Sequence, residues 1–457
     1  MSEPNLDGTS TEKIHPALDF TSDHAYVGQL LPWGEPDGER EVLFSLIKDD
    51  RVIIPCIPSI LEENGLNIVT PSFAFELRWS LNGIKNFIEG EEAVDPAQLF
   101  ELVKGSFRTY IELLDVKLYD FLALWNIGTY FFPLFNTYPY VYVGGIKESG
   151  KTKLLTLCCC IAFNSVFSGN MSTAVVYRLI QDARCSLFID ETEMLSNRYR
   201  ARDLRNILLS GYKNGQRTYR NRKTTDGNFV PQSFEVYGPK MLANIEGLED
   251  VLGSRCIKII MKRGLNREIT NREVDISDPI WQQVRDLLYP FLMGNWRDIK
   301  QTYSELENDA DLLNRNWELW KPIFALAKFF DRSNDGLYEE MKSLALEKIA
   351  ENQGENSSSH EAVLVEVLLS LVDEDNFYFL REIRVEMAER VDDGGWLSER
   401  FIGRLLRRLG FSNSRRIRDG TQYFLKVSEV KDLALRLGIS VDSEGSELSE
   451  GNSERGE

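Results

Sequence analysis

"YPYVYVGGIKESGKTKLLTLCCC", residues 138–160, passes from an apolar, aromatic and β-branched run through a glycine-flanked loop into a segment able to form a helix. Within it Gly145, Ile146, Lys147, Glu148, Ser149, Gly150, Lys151 and Thr152 match the spacing G-x-x-x-x-G-K-[ST]. Glycines let a backbone wrap an anion, amides at the start of the following helix point at it, and the lysine meets the outer oxygens of a polyphosphate. The strand before and the helix after supply the context that a solvated glycine turn lacks. The stretch therefore implies a nucleoside triphosphate site, with the Thr152 hydroxyl as a ligand of Mg2+.

Such a site needs carboxylates, and "CSLFIDE", residues 185–191, is an apolar strand ending in two of them. Asp190 at the strand end suits the metal shell, and Glu191 is placed to orient and deprotonate an attacking water. Glu193 is a weaker competitor for the base, and a helix N-cap is the plainer reading of the pair. Asn244, in "KMLANIEGL", ends another short strand, where its amide can hold water or a terminal phosphate, or merely close a turn. Arg255, in "VLGSRCIKI", lies just before a strand. From there a guanidinium can reach the edge of a subunit and stabilise charge on a neighbour's transferring phosphoryl group, or form a surface salt bridge.

Around this centre the 457-residue chain divides by pattern. Residues 1–24 read as a disordered tail, 25–95 as a β-rich module with hairpin-like alternation, and 96–137 as a helical lead-in. Residues 138–264 alternate strand, loop and helix, the pattern of an α/β core whose parallel sheet is covered by helices on both faces. Residues 265–352 are helical, 353–360 a polar linker, and 440–457 an acidic tail poor in apolar residues. Between linker and tail, residues 361–439 give three amphipathic helices and a hairpin with Asp419-Gly420 at its turn, the order of a winged helix.

The formal charge is -18, so a polyanion has to meet a local basic patch. Six cysteines, at 56, 158, 159, 160, 185 and 256, without a C-x-x-C pair, and three histidines suggest neither zinc nor a disulfide framework, and a reducing cytoplasm fits best. The polar, acidic N-terminus lacks the features of a signal peptide. Residues 121–146 carry no charge, but Asn126, Pro133, Asn136 and Pro139 interrupt them, so a buried helix and strand are expected rather than a membrane span.

Two basic loci stand out. "YKNGQRTYRNRK", residues 212–223, carries Lys213, Arg217, Arg220, Arg222 and Lys223 with Tyr212 and Tyr219 interleaved and no acid, suiting a surface that tracks a strand of DNA. A solvated loop is the alternative. The third C-terminal helix presents Arg400, Arg404, Arg407 and Arg408, and the hairpin adds Arg415, Arg416 and Arg418, so helix and wing both suit duplex DNA, or else a docking protein.

From about residue 115 to 263, "LWNIGTYFFPLFNTYPYVYVGG", the loop itself, "TAVVYRLI", "LFIDETEML", "ILLSGYKNGQRTYR" and "VYGPKMLANIEGLEDVLGSRCIKI" resemble, in this order, the AAA+-like P-loop ATPases of archaeal, plasmid and phage replication proteins. The resemblance implies ATP hydrolysis by Lys151, Thr152, Asp190 and Glu191, a sensing role for Asn244, an arginine supplied in trans by Arg255, a ring of six subunits, and a basic hairpin facing its channel. Other replication proteins are possible partners. Three functions are open on this reading: a DNA motor such as a helicase, a DNA-bound ATP switch, and a non-enzymatic DNA-binding regulator.

Overall fold

A computed structural model describes residues 11–33, 41–68, 78–90, 93–169, 171–190, 202–244, 250–332, 336–357, 360–391, 397–437 and 439. Glu191, Glu193 and the expected acidic tail 440–457 lie outside them. The chain forms two compact units, residues 1–346 and 347–457.

The first unit opens with a β layer: β1 (Glu12–Ile14), β2 (Leu18–Phe20), β3 (Ala25–Trp33), β4 (Glu41–Lys48), β5 (Ile53–Pro55), α1 (Pro58–Glu63) and β6 (Leu66–Ile68). Strands β2-β3-β4-β5 form an antiparallel meander, and β1 pairs in parallel with β6. Residues 12–14 and 18–20, expected in a disordered tail, are therefore strands. Their apolar members Ile14 and Leu18 are buried, and Ile14 shares a small core with Tyr26, Leu46, Ile54 and Leu66. Gly28 has no room for a side chain, since a Cβ there would lie 1.9 Å from the Pro16 carbonyl oxygen.

Next come α2 (Leu81–Glu89), α3 (Pro96–Tyr110) and α4 (Lys117–Gly128). The β-rich expectation for 25–95 fails at α2, whose N-cap Ser80 donates a 2.7 Å bond to Asp286 and whose preceding Trp79 stacks on Tyr289 at 4.8 Å. That segment belongs to the later helices. The α4 helix is buried from Leu118 to Gly128, so the charge-free stretch is a core helix leading to a core strand. Trp125 Nε1 donates to the Pro139 carbonyl at 2.9 Å, and Tyr138 donates back to the Trp125 carbonyl at 2.6 Å, pinning the helix to the strand entrance. Among the described residues no helix is long and apolar enough to cross a membrane.

The core follows as β7 (Tyr140–Gly145), α5 (Lys151–Ile161), β8 (Val166–Ser168), α6 (Thr173–Ala183), β9 (Leu187–Ile189), α7 (Arg202–Ser210), β10 (Arg217–Lys223), β11 (Phe229–Glu235), β12 (Lys240–Ala243), α8 (Asp250–Gly253) and β13 (Cys256–Met261). Five of these strands make an all-parallel sheet in the order β13-β7-β12-β9-β8. Parallel strands joined through crossover helices are covered on both faces, which is why β7 and β9 read as unbroken apolar runs. The pair β10 and β11 forms a separate hairpin. The unit closes with α9 (Arg267–Thr270), α10 (Pro279–Glu305), α11 (Asn314–Phe330) and the start of α12 (Leu337–Ser357). Residues 353–357, expected in a linker, continue this helix.

The second unit contains α13 (His360–Leu371), β14 (Asn376–Phe379), α14 (Leu380–Arg390), α15 (Glu399–Arg408), β15 (Ser414–Ile417), β16 (Gly420–Leu425) and α16 (Val427–Arg436). An antiparallel sheet of order β14-β16-β15 packs with the helices around Leu364, Leu368, Ile383, Ile402, Leu406 and Tyr423. The hairpin turn is Arg418-Asp419, one residue earlier than expected, with Gly420 opening β16 at φ 141°, a conformation that favours glycine.

The β layer is tied to the core through His15. Its Nε2 lies 2.8 Å from the Gln181 carbonyl oxygen, and its Nδ1 accepts from the Ala17 amide at 3.2 Å, which fixes a neutral ring. Burial, then the Arg184 guanidinium, hold its pKa well below the ordinary 6.5. Protonation thus favours the unfolded chain, and the stability His15 contributes is present above pH 6.5 and lost as pH falls below it, by up to about 1.4 kcal/mol per pH unit. Thermal unfolding between pH 7.5 and 5.5 should show a steeper loss for the native chain than for His15→Gln; equal slopes would remove His15 as the cause.

Candidate functional site

The glycine-flanked loop leaves β7 at the C-terminal edge of the sheet. Gly145 sits at φ 141°, and a Cβ on it would lie 2.3 Å from the Met261 carbonyl oxygen and 2.9 Å from Ser149 Oγ. Gly150, at φ 91°, turns the chain into α5. Glu148 takes a left-handed φ of 63°, and its carboxylate meets Arg263 at 3.0 Å. The Lys151 ammonium donates to the carbonyls of Gly145 at 2.8 Å and Ile146 at 2.9 Å, so its charge stands inside the loop. Ser149 Oγ is buried without a hydrogen-bond partner among the described residues. Bent backbone, inward cation and unsatisfied hydroxyl are groups of the kind that suits a phosphate-sized anion.

At the mouth of the loop the Thr152 hydroxyl donates to Asp190 Oδ2 at 2.6 Å. Two oxygen ligands at one point suit a magnesium shell completed by water and phosphate. Among the described residues there is no group of three His, Cys, Asp or Glu that would compete as a metal centre. Asn244 directly follows β12, the strand between the loop strand and the Asp190 strand, and its buried Oδ1 accepts a 2.6 Å bond from the Tyr142 hydroxyl. Lys151, Thr152, Asp190 and Asn244 therefore meet at one sheet edge.

Sequence reading missed the wall beside the loop. Lys153 Nζ donates to the Ile269 carbonyl at 2.8 Å, and Glu112 Oε2 accepts from the amides of Leu265 and Asn266 at 2.7 and 2.8 Å. The first bond holds Ile269 against α5 and the other two hold residues 265–266 against the segment that follows α3, and a cavity of about 90 Å³ lined by Tyr110, Glu112, Ser149, Gly150, Met261 and Ile269 opens there. Only the position of Lys153, directly after the loop motif, could have signalled it.

Arg255 lies at the opposite end of the sheet. Its Nε donates to the Leu209 carbonyl at 2.9 Å, another of its nitrogens donates to the Val251 carbonyl, and its guanidinium lies 5.0 Å from the Tyr212 ring centroid. The side chain is thus half-buried against its own chain instead of projecting from it, held by those two carbonyls, of which that of Val251 also accepts from Ser254 Oγ at 3.0 Å.

The basic stretch splits three ways. Lys213 precedes the hairpin and pairs with Glu318 at 2.9 Å, which raises its pKa, so it is not a free phosphate contact. Arg220 turns inward, 5.7 Å from the Tyr177 ring and 3.6 Å from Asp203. Alternation along β10 puts Arg217, Tyr219 and Lys223 on the other face with Phe229 of β11, and Tyr219 and Phe229 are 64% and 67% exposed. Arg222 is exposed near the tip.

In the second unit Arg400, Arg404, Arg407 and Arg408 are exposed along α15, though Arg408 is paired to Glu361 at 2.7 Å. Arg415, Arg416 and Arg418 are exposed on the hairpin, Arg415 lying 3.7 Å over the Phe377 ring and donating to Gln422 at 2.8 Å.

The base of the first hairpin is closed by Lys240, fully buried at the start of β12. Its ammonium donates to the carbonyls of Val236 and Gly238 at 3.0 Å and of Gly211 at 3.3 Å, and burial pushes its pKa down to about 7.

No protein-family model and no curated protein matches the chain. Among solved structures it is similar to an SCCmec type IV Cch protein described as an active helicase, at 10% identity over 91% of this chain and 92% of that one with a TM-score of 0.41. It is also similar to the apo A form of the NrS-1 C-terminal region, at 11% identity over 84% and 93% with a TM-score of 0.32. A JCV helicase aligns at 10% identity over 63% and 69% with a TM-score of 0.24. Scores and identities this low leave the function to be read from the residues themselves.

Lys240→Met should leave the carbonyls of Val236 and Gly238 without this donor, while that of Gly211 keeps the Gly238 amide at 3.2 Å, and lower stability by about 3 kcal/mol. Amide hydrogen exchange should accelerate at 211–217 and 236–240 while the phosphate loop keeps its protection. Unchanged protection at those two segments would show that Lys240 does not hold the hairpin base.

Proposed function

We propose that the chain hydrolyses ATP and uses it to act on DNA, as a ring motor of the AAA+-like replication type, a helicase or remodeller of a plasmid, virus or other mobile element. The observation that carries the reading is the 2.6 Å contact of Thr152 with Asp190 at the mouth of the loop that encloses the Lys151 ammonium. Residues 145–152 bind the triphosphate, with Lys151 neutralising its outer oxygens. Magnesium, held by Thr152 and Asp190, would add positive charge at the phosphate oxygens. Glu191, next to Asp190 in the chain, takes the proton of the attacking water, and Asn244 positions that water or the terminal phosphate.

Strand order supports the assignment, because the loop strand and the acid strand both flank β12, which delivers Asn244 between them. For DNA, the face bearing Arg217, Tyr219, Lys223 and Phe229 combines cations with exposed rings, the composition that suits single strands. The order helix, strand, two helices, hairpin in the second unit supports a winged helix, with α15 presenting Arg400, Arg404 and Arg407 and the hairpin presenting Arg416 and Arg418 as phosphate contacts.

Lys151→Ala should cut ATP turnover by at least about a hundredfold, and Glu191→Gln should do the same while keeping ATP binding. Undiminished turnover in Lys151→Ala would remove the site. Tyr219→Ala combined with Arg217→Ala should reduce stimulation of turnover by single-stranded DNA without changing the DNA-free rate. Strand displacement on a forked duplex separates a motor from an ATP switch, which would hydrolyse slowly and displace nothing.

A further inference from the structure

The sheet of the second unit has two faces of different character. Tyr423 and Leu425 of β16 belong to the core, and Tyr378 of β14 packs against it. Strand alternation therefore sends Phe377 and Phe379 of β14, and Gln422 and Phe424 of β16, to the other side. Phe377 pairs across the strands with Phe424, their ring centroids 5.1 Å apart, and the three phenylalanines are half-buried without joining the core.

Two arginines lie on this aromatic row. Arg415 of β15 stands 3.7 Å over the Phe377 ring, its Nε donating to Gln422 at 2.8 Å. Arg381 of α14 stands 4.2 Å over the Phe379 ring and donates to the Asp419 carbonyl at 3.3 Å. Both are exposed, and among the described residues neither has a carboxylate within salt-bridge distance. The acids of the bend before β14 are engaged within the chain: Asp373 by the Tyr378 hydroxyl at 3.0 Å, Glu374 by the Asn376 amide at 2.7 Å and Asp375 by the Val427 backbone amide at 2.9 Å. A guanidinium over a ring is weakly hydrated and has a second planar face and an N–H edge to spare, suited to stack on a base and to donate to a phosphate. An apolar protein segment laid here would bury both charges without an anion. A nucleic-acid strand brings an anion with every base, and only an unpaired strand offers base faces to rings. Phe377 and Phe379, two residues apart in a strand, are about 7 Å from each other, roughly twice the rise of one stacked base.

We propose that this outer face of the β14-β16-β15 sheet binds single-stranded DNA, with bases stacking on Phe379, Phe424 and the guanidiniums of Arg381 and Arg415, and phosphates meeting the N–H edges of those arginines. The helix α15 packs on the inner side through Ile402 and Leu406, and alternation along β15 turns Arg416 away from Arg415. Paired and unpaired DNA thus take opposite sides of the unit.

This inference rests on the proposed reading that the chain acts on DNA and is independent of its ATPase part. The full chain, without nucleotide, is photo-cross-linked to an oligothymidylate carrying iodouracil, which couples to a ring it stacks on. Adducts should map to Phe377, Phe379 or Phe424. Affinity is read by fluorescence anisotropy in an Arg217→Ala, Tyr219→Ala background, which silences the hairpin of the first unit. There Phe377→Leu with Phe379→Leu should weaken oligothymidylate binding at least about tenfold, while affinity for a duplex of the same length stays within about twofold. Arg381→Gln with Arg415→Gln, an exposed pair that keeps the test open if the phenylalanine variant unfolds, should lower the slope of log affinity against log salt by about 1.4. Adducts confined to β10–β11 or α15, or variants that bind as the background does, overturn the proposal and leave the DNA reading standing. Equal loss of duplex and single-strand affinity would make the face a duplex contact and overturn it too. Binding of oligouridylate more than about tenfold tighter than oligothymidylate would assign the face to RNA and likewise overturn it. A native chain that binds DNA in neither form removes the proposal and the DNA reading together.

Discussion

The Thr152 hydroxyl and the Asp190 carboxylate meet because three parallel strands end together. Met241 of β12 pairs with both Val141 of β7 and Phe188 of β9, and Leu242 pairs with both Tyr142 and Ile189. With β12 as a shared ruler, the loop after β7, Asp190 after β9 and Asn244 after β12 emerge along one edge. A slip of one residue in either pairing would turn every side chain of a strand to the other face of the sheet. The packing forbids it: Trp125 lies 6.0 Å from Tyr138 and 6.1 Å from Phe188, and Tyr142 must reach Asn244. The chemistry at the edge is thus a consequence of aromatic packing one layer below it.

The same short strand has a second end. Lys240, where β12 begins, holds the carbonyls at which the β10–β11 hairpin leaves and rejoins the core, while Asn244, just past where β12 ends, adjoins the edge that carries the glycine-flanked loop. Four residues in an extended strand make a stiff connection of about 13 Å. A burial this complete disfavours a charge, and the three carbonyl oxygens around the ammonium offset that cost. The hairpin base and the sheet edge that carries the glycine-flanked loop therefore adjoin opposite ends of one strand.

Charge is distributed to match. The chain carries a formal -18, yet cations collect at four places: inside the phosphate loop, around Tyr212, on the outer face of the hairpin, and on α15 with its neighbouring hairpin. An acidic background keeps polyanions away from the rest of the surface. The arginines on Tyr212 stand at the sheet end remote from the glycine-flanked loop.

The amino-acid sequence by itself determined the features whose chemistry lies in contiguous backbone. The glycine spacing before Lys151, the apolar run into Asp190, the buried helix and strand across the charge-free stretch, and the alternation of strand and helix were all legible, because each is encoded by neighbours within one turn or one strand. Tertiary structure alone decided the rest. Lys240 looks like any lysine opening a strand, Arg315 like any arginine in the first turn of a helix, and residues 12–20 like a polar tail, until packing brings each to partners far away in the chain. Lys153 meets Ile269, Arg315 meets Tyr212, and His15 meets Gln181 only through the order of the sheet and the burial of its helices. No local pattern records such distant pairings, since what selects them is the shape of the whole core.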